Sequence, residues 1–227
     1  MMEEAMGDPA RKAALYDAFA RTGKALSSGK RLELLDLLAQ GERTVDALAK
    51  AAGLNLTTAS AHLQTLKQAG LVATRRDGVR IHYRLAGDDV AALYALLRQV
   101  AHIHQAGVEP ARTAYLGADE AEEVDREALR TRAEAGEVVV LDVRPAEEYA
   151  AGHIPGALSI PVEELAERIT ELPQDTEVVA YCRGAYCVLA YDAVRLLQER
   201  GRRAVRLTDG MLEWRLADFP VAADAAA

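Results

Sequence analysis

Both cysteines of the 227-residue chain, Cys182 and Cys187, fall in one run, Val178-Val179-Ala180-Tyr181-Cys182-Arg183-Gly184-Ala185-Tyr186-Cys187-Val188. An apolar strand gives way there to a short loop and then a helix. Such a turn aims backbone N–H groups, and the positive end of the helix dipole, at the loop centre. A sulfur held there is favoured as the anion, which is nucleophilic near neutral pH, and the same cradle suits a terminal persulfide. Cys182, at the strand end, is the candidate nucleophile. Taken alone, two cysteines beside an apolar strand are more often small core residues, so the surrounding elements must decide.

Three further stretches surround that loop. A strand ends Leu141-Asp142-Val143-Arg144; Tyr149 leads into His153-Ile154-Pro155-Gly156-Ala157 and Ile160; and Val205 leads through Gly210 to Trp214. With the cysteine loop, this ordered set resembles a rhodanese domain, the sulfurtransferase module, from about Val124 to Val221. The resemblance implies an α/β fold around a central, mostly parallel sheet. It also implies that Cys182 accepts sulfane sulfur as a persulfide and passes it to a nucleophile, needing no cofactor. Phosphatase and arsenate-reductase relatives have a loop one residue longer that ends in an arginine gripping the oxyanion. Here Val188 takes that place, and a phosphoryl group needs more room and a bidentate cation. The loop Arg183, Gly184, Ala185, Tyr186, Cys187 and Val188 therefore suits sulfur, not phosphate.

Cys187 departs from the usual family pattern and admits two roles. It could act as a resolving thiol that attacks a persulfide on Cys182 and leaves a disulfide or a sulfur-bridged pair. It could equally begin the helix and pack beneath the loop, since closure needs the Cβ atoms within disulfide reach. Arg183 is read as stabilising a thiolate or attracting thiosulfate, against a solvent-facing arginine of a tight loop. His153, in a turn, is read as structural with its imidazole bonded to backbone. Asp142 and Arg144, two apart on a strand end, point to one side and brace neighbouring loops. Trp214 is read as packing the closing helix.

Charge divides the chain. Residues 1–106 hold fourteen Lys/Arg against eleven Asp/Glu, and residues 107–227 thirteen against twenty-four. Halves this different predict two domains with different partners. In the basic half, Thr44 to Ala52 carries a helical apolar stripe, capped by threonine and closed by Gly53. A second helix runs from Leu56 to Ala69 with Ala59, Leu63 and Leu66 inward. That leaves Thr57, Thr58, Ser60, Ala61, Gln64 and Lys67 on an outer face small enough to enter a major groove. Leu71 to Leu85 reads as two strands about an Asp-Gly turn, carrying Arg75, Arg76, Arg80 and Arg84. Five Lys/Arg and one acid between Leu56 and Arg84 make an electrostatic footprint for phosphates.

This arrangement, over about Ala10 to Ala106, resembles a winged helix-turn-helix of the ArsR type. The resemblance implies a homodimer on double-stranded operator DNA, usually as a repressor, with dimer contacts from helices near Arg11–Ser27 and Asp88–Gln105. Many relatives bind metals through a cysteine pair in the helix before the recognition helix, but Thr44–Ala52 has none. His102 and His104, with Asp88 and Asp89, do not repeat the family's ligand pattern, and histidines two apart do not share a helix face. No metal is expected.

The expected organisation is an α+β winged helix-turn-helix over 1–106, a linker over 107–123 marked by Gly107, Pro110, Gly117 and an acidic run, and a rhodanese-like domain over 124–227. The amino terminus Met-Met-Glu-Glu and the lack of an apolar run near ~20 residues predict a cytoplasmic protein with no membrane partner. The combined expectation is a regulator whose rhodanese half senses or carries sulfane sulfur from a small donor such as thiosulfate or polysulfide. The alternative is a sulfurtransferase enzyme tethered to a DNA-binding module.

Overall fold

A computed structural model describes residues 8–117 and 121–224. The chain forms two compact units whose boundary falls between Val90 and Ala91.

In the amino-terminal unit, α1 (Pro9–Leu26) and α2 (Gly29–Gln40) precede a short strand β1 (Arg43–Thr44) and the helix pair α3 (Val45–Ala51) and α4 (Leu56–Gln68). Side chains set both starts of that pair: Thr44 Oγ1 accepts from the Ala47 N–H and Asn55 Oδ1 from the Thr58 N–H. Between them the chain reverses through Gly53, whose φ of 61° is open to glycine at little cost. Leu34, Leu35, Leu48, Ala59, Leu63 and Leu66 are fully buried, so the stripes read along α3 and α4 do form the core. Strands β2 (Val72–Asp77) and β3 (Arg80–Leu85) pair antiparallel, and β1 adds to the free side of β3. The wing turn differs from the Asp-Gly expectation. Asp77 pairs with Arg80, leaving Gly78-Val79 as the loop, with positive φ at Gly78 alone. That is the type II′ pattern, in which glycine takes the first central place.

Helix α5 (Asp88–His104) crosses the unit boundary. The carboxy-terminal unit continues with α6 (Val108–Leu116), β4 (Glu123–Val124), α7 (Arg126–Glu134), β5 (Val138–Asp142), α8 (Ala146–Ala151) and β6 (Leu158–Ser159). After α9 (Val162–Arg168) and a 3-10 turn come β7 (Glu177–Tyr181), α10 (Val188–Glu199), β8 (Ala204–Leu207) and α11 (Met211–Leu216). The five strands run parallel in the order β4-β8-β7-β5-β6. A parallel central strand is covered on both faces and reads as a continuous apolar run. Along β7, Val178 and Ala180 pack with α9 and α10, while Val179 and Tyr181 pack with α7 and α11. Alternation then sends Cys182 to the α10 side.

Helix α6 occupies part of the stretch expected as a linker, packs on α10, and is bounded by Gly107 and Gly117. The glycines mark its ends, and Pro110 lies in its first turn, where a missing N–H costs nothing. Asp119 and Glu120 of the acidic run, and the Met-Met-Glu-Glu terminus, lie outside the described residues. At the far end, His153 and Ala222 exchange backbone hydrogen bonds of 2.8 and 2.9 Å, and the Asp224 N–H donates to the Ala150 carbonyl. No helix among the described residues is long and apolar enough to cross a membrane.

Candidate functional site

Cys182 follows β7 directly, and Cys187 is the N-cap of α10, so the strand-loop-helix turn exists as read from the residue pattern. The loop is closed over its sulfur: Cys182 is 1% exposed and Cys187 9%. Both thiols are free. The Cys182 S–H points at the Cys187 carbonyl, 3.3 Å away, and more distantly at that of Gly184, 3.8 Å.

The electrostatics differ from the expected Cys182 thiolate. Burial pushes the Cys182 thiol well up, and the nearby Cys187 sulfur adds to this; the Ala190 and Gly184 N–H groups pull the other way and are outweighed. Cys187 is drawn down, first by a hydrogen bond from the Cys182 thiol, then, against its own burial, by the Arg183 cation and the Arg183 and Leu189 N–H groups. In this closed state the more acidic sulfur of the pair is Cys187. The expected lowering at Cys182 is not what the backbone N–H groups achieve in this closed loop, and at Cys187 they act only after the Cys182 thiol and the Arg183 cation.

Arg183 does not face solvent. Its guanidinium makes a forked contact with Glu148, 2.7 to 3.0 Å, and Glu148 is itself buried in the first turn of α8. The arginine thus anchors the loop to α8 while its charge acts on Cys187. Gly184, Ala185 and Tyr186 form the outer part of the loop, and the Cys187 N–H closes it on the Gly184 carbonyl at 3.0 Å. Val188 opens α10.

Beneath the loop, Asp142 and Arg144 are fully buried and paired at 2.6 Å. Asp142 also accepts from the Tyr181 hydroxyl, which accepts from the Ile154 N–H, and Arg144 donates to the Gly152 carbonyl. They brace the loops around Cys182. His153 stacks on Tyr149 at 3.6 Å with Nδ1 against the Tyr149 carbonyl. Trp214 is buried in α11, its Nε1–H donating to the Pro220 carbonyl.

Three contributors were not singled out from the sequence: Glu148, Glu213 and Arg98. The Met211 and Leu212 N–H groups at the start of α11 donate to the carbonyls of Cys182 and Arg183, 2.9 and 3.1 Å. Glu213 accepts from the Gly210 N–H at 3.2 Å and pairs with Arg98 of α5. Gly210 is obligatory, because a Cβ there would overlap the Gly184 backbone and lie 2.6 Å from the Arg183 carbonyl carbon. Acids in the first turns of α8 and α11 were the available signal.

In the amino-terminal unit the outer face of α4 presents Thr57, Ala61, Gln64 and Lys67 fully, and Thr58 and Ser60 in part. Arg75, Arg76, Arg80 and Arg84 are all exposed on β2 and β3. Two contacts tie helix to wing: Gln64 Nε2 to the Tyr83 hydroxyl, 3.1 Å, and Lys67 Nζ to Thr74 Oγ1, 2.9 Å. Arg75 is paired with Glu42 at 2.9 Å, which holds its guanidinium above the usual range. His102 Nδ1 lies 3.7 Å from Glu109. Among the described residues no group of three or more His, Cys, Asp or Glu side chains could hold a metal ion.

Residues 28–74 match the arsR family of bacterial regulatory proteins, and residues 125–217 match the rhodanese-like domain. Over 215 residues the chain is 60% identical to the HTH-type transcriptional regulator Rv0324 of Mycobacterium tuberculosis, covering 95% of each chain. Over 103 residues it is 35% identical to a sulfurtransferase of Allochromatium vinosum, covering 44% of this chain and 94% of that one. A homodimeric winged helix-turn-helix DNA-binding domain from Mycobacterium bovis is 60% identical, with a TM-score of 0.42, covering 44% of this chain and 94% of its own. The chain belongs to the arsR family of bacterial regulatory proteins and carries a rhodanese-like domain behind its helix-turn-helix.

Proposed function

We propose that this regulator binds operator DNA as a homodimer and that sulfane sulfur, taken up as a persulfide on Cys182, changes that binding. The observation that carries the reading is the thiol pair: Cys182 and Cys187 lie together in one strand-loop-helix turn, with the Cys182 S–H 3.3 Å from the Cys187 carbonyl. Cys182 attacks the sulfane sulfur of a polysulfide or thiosulfate. Its proton leaves to solvent, the donor's S–S bond breaks as the new one forms, and a shorter polysulfide or sulfite leaves. Attack by Cys187 on Cys182 Sγ then expels hydrosulfide and closes a disulfide. On a longer sulfur chain, attack one sulfur further out expels hydrosulfide and leaves a sulfur-bridged pair. Either product suits a reducing cytoplasm, where a transient thiol switch can be reset.

DNA reading rests on the α4 face and on Arg75, Arg76, Arg80 and Arg84, all turned to solvent. Exposed apolar residues support the dimer: Leu15, Tyr16 and Phe19 on α1, and Leu96, Val100 and Ile103 on α5. The test uses duplexes selected from a random pool by the reduced protein. Wild type and Cys182→Ser are each titrated before and after treatment with inorganic polysulfide. A change confined to wild type is the expected result, and an equal response of both proteins sinks the sensor.

The 35% identity to a sulfurtransferase favours a second reading, in which the domain turns over sulfur catalytically. Steady transfer from thiosulfate to cyanide, lost in Cys182→Ser, would establish it.

A further inference from the structure

Cys182 is enclosed by its own loop. Its sulfur touches the carbonyls of Gly184 and Cys187 and is sealed from solvent. Extending it by a second sulfur, about 2.05 Å further on, requires a carbonyl to give way. The Cys187 carbonyl belongs to the N-cap of α10, and the loop's first two carbonyls are held by α11. The Gly184 carbonyl is held within the loop, by the Cys187 N–H at 3.0 Å, so a shift of Gly184 stretches one hydrogen bond inside the loop and leaves the two to α11 in place.

What lies against Gly184 decides where its movement goes. A Cβ built there would stand 3.1 Å from Glu213 Oε2 and 3.4 Å from Arg98 Nη1, so the pair rests directly on that residue. Arg98 also lies over the Tyr186 ring at 5.3 Å, and over Tyr94 of its own helix at 4.9 Å. Arg98 and Glu213 are each less than a fifth exposed as side chains, so their attraction is little screened. On the outer side of Ala185 and Tyr186, bordered by Arg98, Gln99 and His102, is a cavity of about 520 Å³ that gives the loop room. All of these groups belong to the carboxy-terminal unit, yet α5 begins at Asp88, three residues beyond the last wing residue, Leu85.

We infer that Arg98 is the positioning residue through which α5 registers the sulfur state of the Cys182 loop: displacement of Gly184 by added sulfur shifts the Arg98–Glu213 pair and, with it, α5. The inference rests on the sulfur reading above and adds the residue that transmits it. Arg98 touches neither sulfur, so its removal leaves sulfur uptake intact while uncoupling α5 from it.

The experiment measures, on the full chain, mass gain at the cysteines and hydrogen exchange of the α5 amides, before and after inorganic tetrasulfide. Wild type, Cys182→Ser, Arg98→Ala, Arg98→Lys and Glu213→Gln are compared, with emission of the single tryptophan, Trp214, as the check that α11 is native. The expected result is sulfur gain in wild type and Arg98→Ala alike, a loading-dependent change in α5 exchange that is full in wild type, absent in Arg98→Ala and partly recovered in Arg98→Lys. Should Arg98→Ala fail the tryptophan check, Glu213→Gln carries the same expectation, because glutamine keeps the acceptor for Gly210 but not the ion pair. An α5 response that survives in the folded variant overturns the inference, as does a loaded wild type whose α5 is unchanged. No sulfur gain in wild type overturns the sulfur reading itself, and the mass measurement tells that failure from the others.

Discussion

Arg76, Arg80 and Arg84 of the amino-terminal unit stand exposed on the wing, whereas Arg144 and Arg206 of the carboxy-terminal unit are buried against Asp142 and Glu123. The same side chain does opposite work. An exposed guanidinium keeps its hydration and is free to meet phosphate, at the expense of salt sensitivity. A buried one gains a fixed geometry around its carboxylate, and removing either partner strands a charge. Arg75 lies between these cases: exposed, yet already engaged by Glu42. Net charge alone separates the halves, but it does not say which cations are available. Burial does.

That contrast yields a graded set of expectations. The largest belongs to the buried pair. Asp142→Ala should cost about 3–5 kcal/mol of stability in urea unfolding, because Arg144 is left charged and enclosed and Tyr181 loses its acceptor. A change below about 1 kcal/mol, the range of surface pairs, would erase the distinction between the two regions.

Replacing Arg76, Arg80 and Arg84 together by glutamine should leave unfolding unchanged but flatten the salt dependence of DNA binding. The slope should fall by roughly 0.9 for each phosphate that the wing no longer neutralises. A slope equal to wild type would mean that the wing does not meet the backbone.

Glu42→Gln should strengthen DNA binding by freeing Arg75, by a few-fold at most, since an exposed pair is weakly held and screened by salt. Weaker binding in that variant would show that Glu42 instead orients Arg75 toward the DNA.

The smallest effect is a pH slope. Burial pushes the Glu213 carboxyl up from its ordinary 4.5, with Arg98 opposing. Between 4.5 and the raised folded value the native state holds a proton that the unfolded chain has released, so stability falls as pH rises through that window. Thermal melts of wild type and Glu213→Gln across it should diverge, with the glutamine variant lacking this slope. Parallel curves would mean that Arg98 fully offsets the burial.

Much of this was legible in the residue pattern. The ends of α3 follow from Thr44 and Gly53, and the inward stripe of α4 is Ala59, Leu63 and Leu66 as the spacing requires. The strand over Val178 to Tyr181 follows from its apolar run, which also sets Cys182 at a strand end, whereas its parallel pairing was implied by the rhodanese resemblance. The partners that close the loop were not legible. Arg183 meets Glu148 across 35 residues, and Arg98 meets Glu213 across 115, separations at which no periodicity relates one position to the other. The wing turn was displaced by one residue because Asp-Gly and Gly-Val both satisfy two-residue turn chemistry, and the choice falls to strand register. The acidity of Cys187 over Cys182 depends on depth below the surface, which local spacing does not encode.

The backbone exchange between His153 and Ala222, extended by Asp224 to Ala150, makes the end of the described chain a stitch in the wall of the carboxy-terminal unit. Anyone trimming or tagging the protein should therefore cut beyond Asp224. A version ending at Val221 would release the segment after Trp214 and loosen the stacked Tyr149–His153 corner, so a failure of sulfur uptake there would report a frayed seam and not a missing catalytic group.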